Sequence, residues 1–86
     1  MGRSPKLYPP RPPREPVDEA AALVLEDGAR TSILVRNVSE AGFGAQCPGF
    51  VRIDSDVVLE RGTGIRRARV RWALRGRFGA VFADAD

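Results

Sequence analysis

Between Ile65 and Leu74 the chain alternates: Ala68, Val70, Trp72 and Leu74 fall on one side, Arg67, Arg69 and Arg71 on the other. A period of two belongs to a half-buried β-strand, because successive side chains of a strand point to opposite faces. The next segment repeats it, with Phe78, Ala80 and Phe82 on one face. No stretch of the remaining chain sustains a helical period. Apolar runs are short and are separated by turn signals at Asp27-Gly28, Pro48-Gly49, Gly62-Thr63-Gly64 and Arg75-Gly76. An Asp-Gly pair between apolar runs is among the strongest hairpin signals.

These segments give an order of strands. Ala21 to Leu25 and Arg30 to Arg36 form a hairpin, Phe43 to Cys47 follows a polar connection, and Phe50 to Ile53 and Asp56 to Glu60 are two more short strands. The fold expected is all-β, a small antiparallel barrel of six to seven strands with an irregular N-terminal arm. Closure is favoured because a small sheet cannot easily leave long edges unpaired. Eighty-six residues allow one domain with one modest core.

The last turn can be tested against the alternation. A two-residue turn at Arg75-Gly76 pairs Leu74 with Arg77 and Trp72 with Gly79. A three-residue turn pairs Leu74, Trp72 and Val70 with Phe78, Ala80 and Phe82, burying all six. A one-residue slip exchanges every face, so a three-residue loop or an equivalent bulge is expected.

The arm occupies residues 1–16 and the barrel residues 17–86. Six of the seven prolines lie at or before Pro16, and proline fixes φ and lacks an N–H. The arm also carries the whole formal charge of +3, since residues 17–86 hold ten arginines against ten acids. Within the barrel, residues 61–77 carry seven arginines and no acid, while Asp18 to Asp27 and Asp54 to Glu60 are acidic. Opposite charges on adjoining strands form cross-strand ion pairs. A basic binding face is the alternative.

Several chemistries lose their usual residues. The chain has no histidine and a single cysteine, Cys47, which excludes His-dependent acid–base and metal chemistry, an internal disulfide and Cys-pair zinc sites. Asp54 and Asp56 form a lone carboxylate pair, and the Gly-x-Gly pairs at Gly42/Gly44 and Gly62/Gly64 precede no helix, so no phosphate-binding glycine loop is formed. Cys47 is expected in the core. With no apolar run near the ~20 residues of a membrane span and no signal-peptide core, the expectation is a cytoplasmic protein that is not an enzyme and carries no cofactor or metal.

The most informative stretch is Asn37-Val38-Ser39-Glu40-Ala41-Gly42, a polar connection between two strands. As structure it is a well-made turn; as a site it offers an amide, a hydroxyl and open backbone. Asn37, Ser39 and Gly42 resemble the Asp/Asn-x-Ser-x-x-Gly signature of PilZ domains, small bacterial barrels that bind cyclic di-GMP. Arg14-Glu15-Pro16-Val17 resembles the end of that family's arginine arm, and Val70-Arg71-Trp72 with Gly79-Ala80-Val81-Phe82 its last two strands. The likeness spans roughly residues 11–84. One spacing departs: the family's two arginines stand four apart, whereas Arg11-Pro12-Pro13-Arg14 places them three apart.

The resemblance implies a receptor or adaptor in cyclic di-GMP signalling. Arg11 and Arg14 would clamp guanine and phosphate, Asn37 and Ser39 would hydrogen-bond to the ligand, and Gly42 would permit close approach. Ligand capture by the arm would be passed to an unidentified protein effector. One alternative is a PilZ-like protein-interaction module without nucleotide binding. Another is a basic barrel that binds nucleic acid, disfavoured at this level because Trp72 is expected to face inward, leaving few aromatic platforms for bases.

Overall fold

A computed structural model describes residues 15–83. Six antiparallel strands close into one barrel in the order β1-β2-β3-β6-β5-β4, as the alternation and turn signals imply. They are β1 (Glu15–Val24), β2 (Arg30–Val38), β3 (Gly42–Gln46), β4 (Asp56–Arg61), β5 (Gly64–Leu74) and β6 (Arg77–Phe82). Among the described residues the fold is all-β.

The core is the inward half of each alternation. Leu23, Val35, Phe43, Leu59, Val70 and Phe78 are its largest fully buried side chains. Phe43 meets the Phe78 ring edge-on at 5.7 Å and the tilted Phe82 ring also at 5.7 Å. Cys47 is buried as expected, and burial pushes its thiol above the ordinary value.

The Asp27-Gly28 signal makes the β1–β2 hairpin. Gly28 takes φ 88°, its N–H donates to the Leu25 carbonyl at 2.9 Å, and the Ala29 N–H donates to Asp27 Oδ1 at 2.9 Å. β1 begins at Glu15, so Glu15 and Pro16, which the proline content assigns to the arm, open the strand instead. Pro16 is accommodated there because the β1–β2 register breaks between Pro16 and Glu19, where a missing N–H interrupts little.

Phe50 to Ile53 is not a strand. Residues 47–55 lace across one end of the barrel and are bound to the β5–β6 hairpin instead of to a neighbouring strand. The Cys47 N–H donates to the Gly76 carbonyl at 2.9 Å, the Gly76 N–H to the Gly49 carbonyl at 2.8 Å, and the Asp54 N–H to the Val70 carbonyl at 2.8 Å. Val51 plugs the barrel end, while Phe50 and Ile53 stay exposed.

The β5–β6 turn is the two-residue Arg75-Gly76 form, with Leu74 opposite Arg77 and Trp72 opposite Gly79. Neither the three-residue loop nor a bulge that buries all six side chains occurs; a bulge lies further along the ladder. Val70 is opposite Ala80 and Ala68 opposite Phe82, so one residue, Arg71, is extra on β5. Ala68 and Val70 therefore face inward as expected. Trp72 and Leu74 are turned outward, 43% and 52% exposed, contrary to expectation. The bulge inverts the parity of every residue beyond it.

The expected cross-strand ion pairs form. Arg69 meets Asp56 at 3.0 Å, Arg36 meets Asp18 at 2.8 Å, Arg61 meets Glu19 at 2.7 Å, and Arg30 pairs with Glu60. Arg67, Arg71 and Arg77 have no carboxylate partner among the described residues. No helix there is long and apolar enough to cross a membrane.

Candidate functional site

The β2–β3 connection shows which residues of the polar stretch are structural. Ser39 Oγ accepts the Ala41 N–H at 3.1 Å and the Gly42 N–H at 3.3 Å, and the Ser39 N–H donates to the Gly42 carbonyl at 2.8 Å. The serine side chain thus satisfies two backbone donors at the corner, the local hydrogen bonding Ser favours in turns. Gly42 opens β3 opposite Val81 of β6. A Cβ there would overlap the Ala80 carbonyl oxygen, so glycine is required by the approach of two backbones.

Asn37 behaves differently. The β2–β3 register shifts between Val35 and Asn37, and Asn37 is paired with Gly44. Phe43 and Ala45 point into the core, so Gly44 turns its bare face outward. Asn37 covers it: a Cβ at Gly44 would lie 3.0 Å from Asn37 Nδ2. Gly44 is in turn paired with Gly79 on β6, and Gly79 is covered by the Trp72 indole, which fills the space a Cβ would need.

Two side chains from opposite strands thus lie over a cross-strand glycine pair. They bound a depression of about 340 Å³ on the outer wall, also lined by Arg36, Gln46 and Arg77. It offers a flat, partly exposed indole, two carboxamides and two guanidinium groups, of which Arg36 is engaged by Asp18 and Arg77 has no carboxylate partner among the described residues. An indole face stacks on a nucleobase, a guanidinium grips a phosphate or the O6/N7 edge of guanine, and carboxamides read base edges.

Arg11 and Arg14 lie outside the described residues. Their tether does not: Glu15 is paired with Val38 and Pro16 with Asn37. Arg14 precedes Glu15, the first residue of β1, in the chain. Of the five residues singled out in the sequence, the structure places Asn37 on the depression and gives Ser39 and Gly42 to the corner beside it.

Trp72, Gly44, Gly79, Gln46, Arg36 and Arg77 were not legible as site residues. Gly44 and Gly79 did carry a signal, since glycine inside a strand marks a bulge or a close approach. Their pairing across β3 and β6 needs the register, which local sequence does not contain. No protein-family model and no curated protein matches the chain.

Proposed function

We propose that the protein is a cyclic di-GMP receptor that holds the dinucleotide against the outer wall of the barrel and passes occupancy to a protein partner, without turnover. The observation that supports it is the glycine-floored depression between Asn37 and Trp72, with Pro16 of β1 paired to Asn37 at its rim. One guanine stacks on Trp72, Asn37 hydrogen-bonds to the ligand, and Arg77 faces phosphate or the guanine edge. Arg11 and Arg14 close from the arm. Ser39 keeps a hydroxyl proton for the ligand while its lone pairs hold the corner, and Gly42 lets the two strands meet. Ordering the arm on binding converts occupancy into a change of shape.

Calorimetric titration with cyclic di-GMP tests this, read in parallel by the fluorescence of Trp72, the single tryptophan. The expected result is saturable binding at micromolar or tighter affinity with quenching of Trp72. Arg14→Ala and Asn37→Ala should each weaken it about tenfold or more, as loss of a charge-assisted or buried hydrogen bond does. Neither heat nor a fluorescence change at millimolar ligand overturns the reading and leaves a nucleotide-independent interaction module.

A second reading gains from the outward turn of Trp72, which removes the objection the sequence raised to a nucleic-acid binder. Trp72, Arg67 and Arg71 on one strand form a basic face with one aromatic platform. Oligonucleotide affinity that falls steeply with salt, and is lost in Arg67→Glu/Arg71→Glu with cyclic di-GMP binding retained, would favour it.

A further inference from the structure

A second concavity lies on the outer wall, an open groove of about 720 Å³ running across β1, β4, β5 and β6, with Trp72 outside its lining. Its surface mixes apolar and charged side chains, with valines flanking the arginines of β5. Val24 is paired with Val58, Val58 with Arg67, and Val81 with Arg69, while the Ala83 N–H donates to the Arg67 carbonyl at 2.8 Å. Val24, Val58, Val81 and Ala83 thus lie in adjoining rows, with Val81 39% exposed.

The charges of the groove are unevenly engaged. Asp56 holds Arg69 at 3.0 Å, and Glu26 accepts the Asp56 N–H at 3.1 Å. Arg67 and Arg71 line the same groove with no carboxylate partner among the described residues. The open charge along β5 is therefore positive, two arginines about 13 Å apart along the strand, flanked by Val58 and Val81.

We propose that this groove seats an extended segment of a partner protein in which acidic and apolar residues alternate. An extended peptide laid along β5 lies between Val58 on β4 and Val81 on β6, so that its apolar side chains meet a valine on either flank while carboxylates reach Arg67 and Arg71. Nucleic acid fits less well, because a sugar–phosphate chain has nothing to place against Val58 and Val81, and the aromatic residue in the lining, Phe82, is buried and offers no open ring face to a base. The surface exists without the dinucleotide, so this inference does not rest on the proposed receptor function.

The test uses the full chain without dinucleotide and a panel of fluorescein-labelled octapeptides alternating Asp with Ala, Val, Leu or Phe. Lys/Val and Asp/Ser octapeptides serve as controls. Polarisation should show binding of at least one Asp/apolar peptide, about tenfold or more tighter than both controls. Amide shifts in NMR should map to Val58, Arg67 and Val81. Arg67→Glu/Arg71→Glu should abolish this binding while circular dichroism and thermal midpoint stay unchanged; if that variant unfolds, Val58→Thr should weaken the Asp/Val peptide in its place. The proposal is overturned if no panel member binds below millimolar, if the Lys/Val peptide binds equally, or if the shifts fall around Trp72. It is also overturned if an oligonucleotide takes the groove in preference, or if sedimentation shows the groove closed by a second copy.

Discussion

The indole of Trp72 lies where a Cβ of Gly79 would be, and the two residues are direct cross-strand partners on β5 and β6. A tryptophan on the outside of a barrel is held flat against the wall because its partner has no side chain. Gly79→Ala should push the indole off the wall. The expected outcome is a red-shifted Trp72 emission and a loss of about 1–3 kcal/mol in urea unfolding, the usual range for a forced extra methyl. An unchanged emission maximum would contradict the packing.

Gly42→Ala should be worse than Gly79→Ala, although both add one methyl. The obstacle at Gly42 is the Ala80 carbonyl oxygen, which cannot swing aside as a side chain can. Separating β3 from β6 strains the ladder from Gly42 opposite Val81 to Gln46 opposite Arg77. A loss of about 3 kcal/mol or more is expected, with weaker amide protection along β3, checked by denaturation and hydrogen exchange.

Ser39→Ala leaves the Ala41 and Gly42 N–H groups without their shared acceptor. Stability should fall by about 1–2 kcal/mol. Asn37→Ala should be milder in unfolding experiments and stronger in ligand titrations, because Asn37 lines the depression and the Ser39 oxygen holds the corner. Equal effects of the two substitutions in both measurements would contradict this division.

Glu19 and Arg61 give the barrel an acid-sensitive link between β1 and β4. The Arg61 guanidinium hydrogen-bonds to both carboxylate oxygens, at 2.7 Å and 3.3 Å for the nearest contacts to each, and holds Glu19 below its ordinary value of 4.5. A carboxylate lowered in the folded state contributes stability above its unfolded pKa, and that contribution is lost as pH falls through the folded value. The thermal midpoint should decline as pH drops below about 4.5, less steeply in Glu19→Gln than in the wild type. The difference should be small and shrink with salt, because the pair is partly exposed.

Phe78 is fully buried, edge-on to Phe43. Phe78→Ala should lose about 3–5 kcal/mol, a large share of the stability of so small a domain, and calorimetry should show a broad or missing transition at 37 °C.

The strands were legible wherever side chains alternate without interruption, as at Ala68 and Val70 or at Phe78, Ala80 and Phe82. Asp27-Gly28 marked its hairpin because glycine there adopts φ 88°, a local property. Phe50 to Ile53 misled for the converse reason. Its short apolar run has strand composition, but its backbone is bound to the β5–β6 hairpin and only Val51 goes inside.

The sequence alone determined an all-β barrel with turns at its glycines and an inward face at Phe78, Ala80 and Phe82. It also brought Asn37, Ser39 and Gly42 together, since they are neighbours in the chain. The tertiary structure decided which way Trp72 faces, which glycines it shares a wall with, and which arginines keep their charge open. The first of these turns on one extra residue, Arg71, between two registers of the β5–β6 ladder. A bulge is fixed by what both strands must bury at once, so neither strand's own alternation contains it.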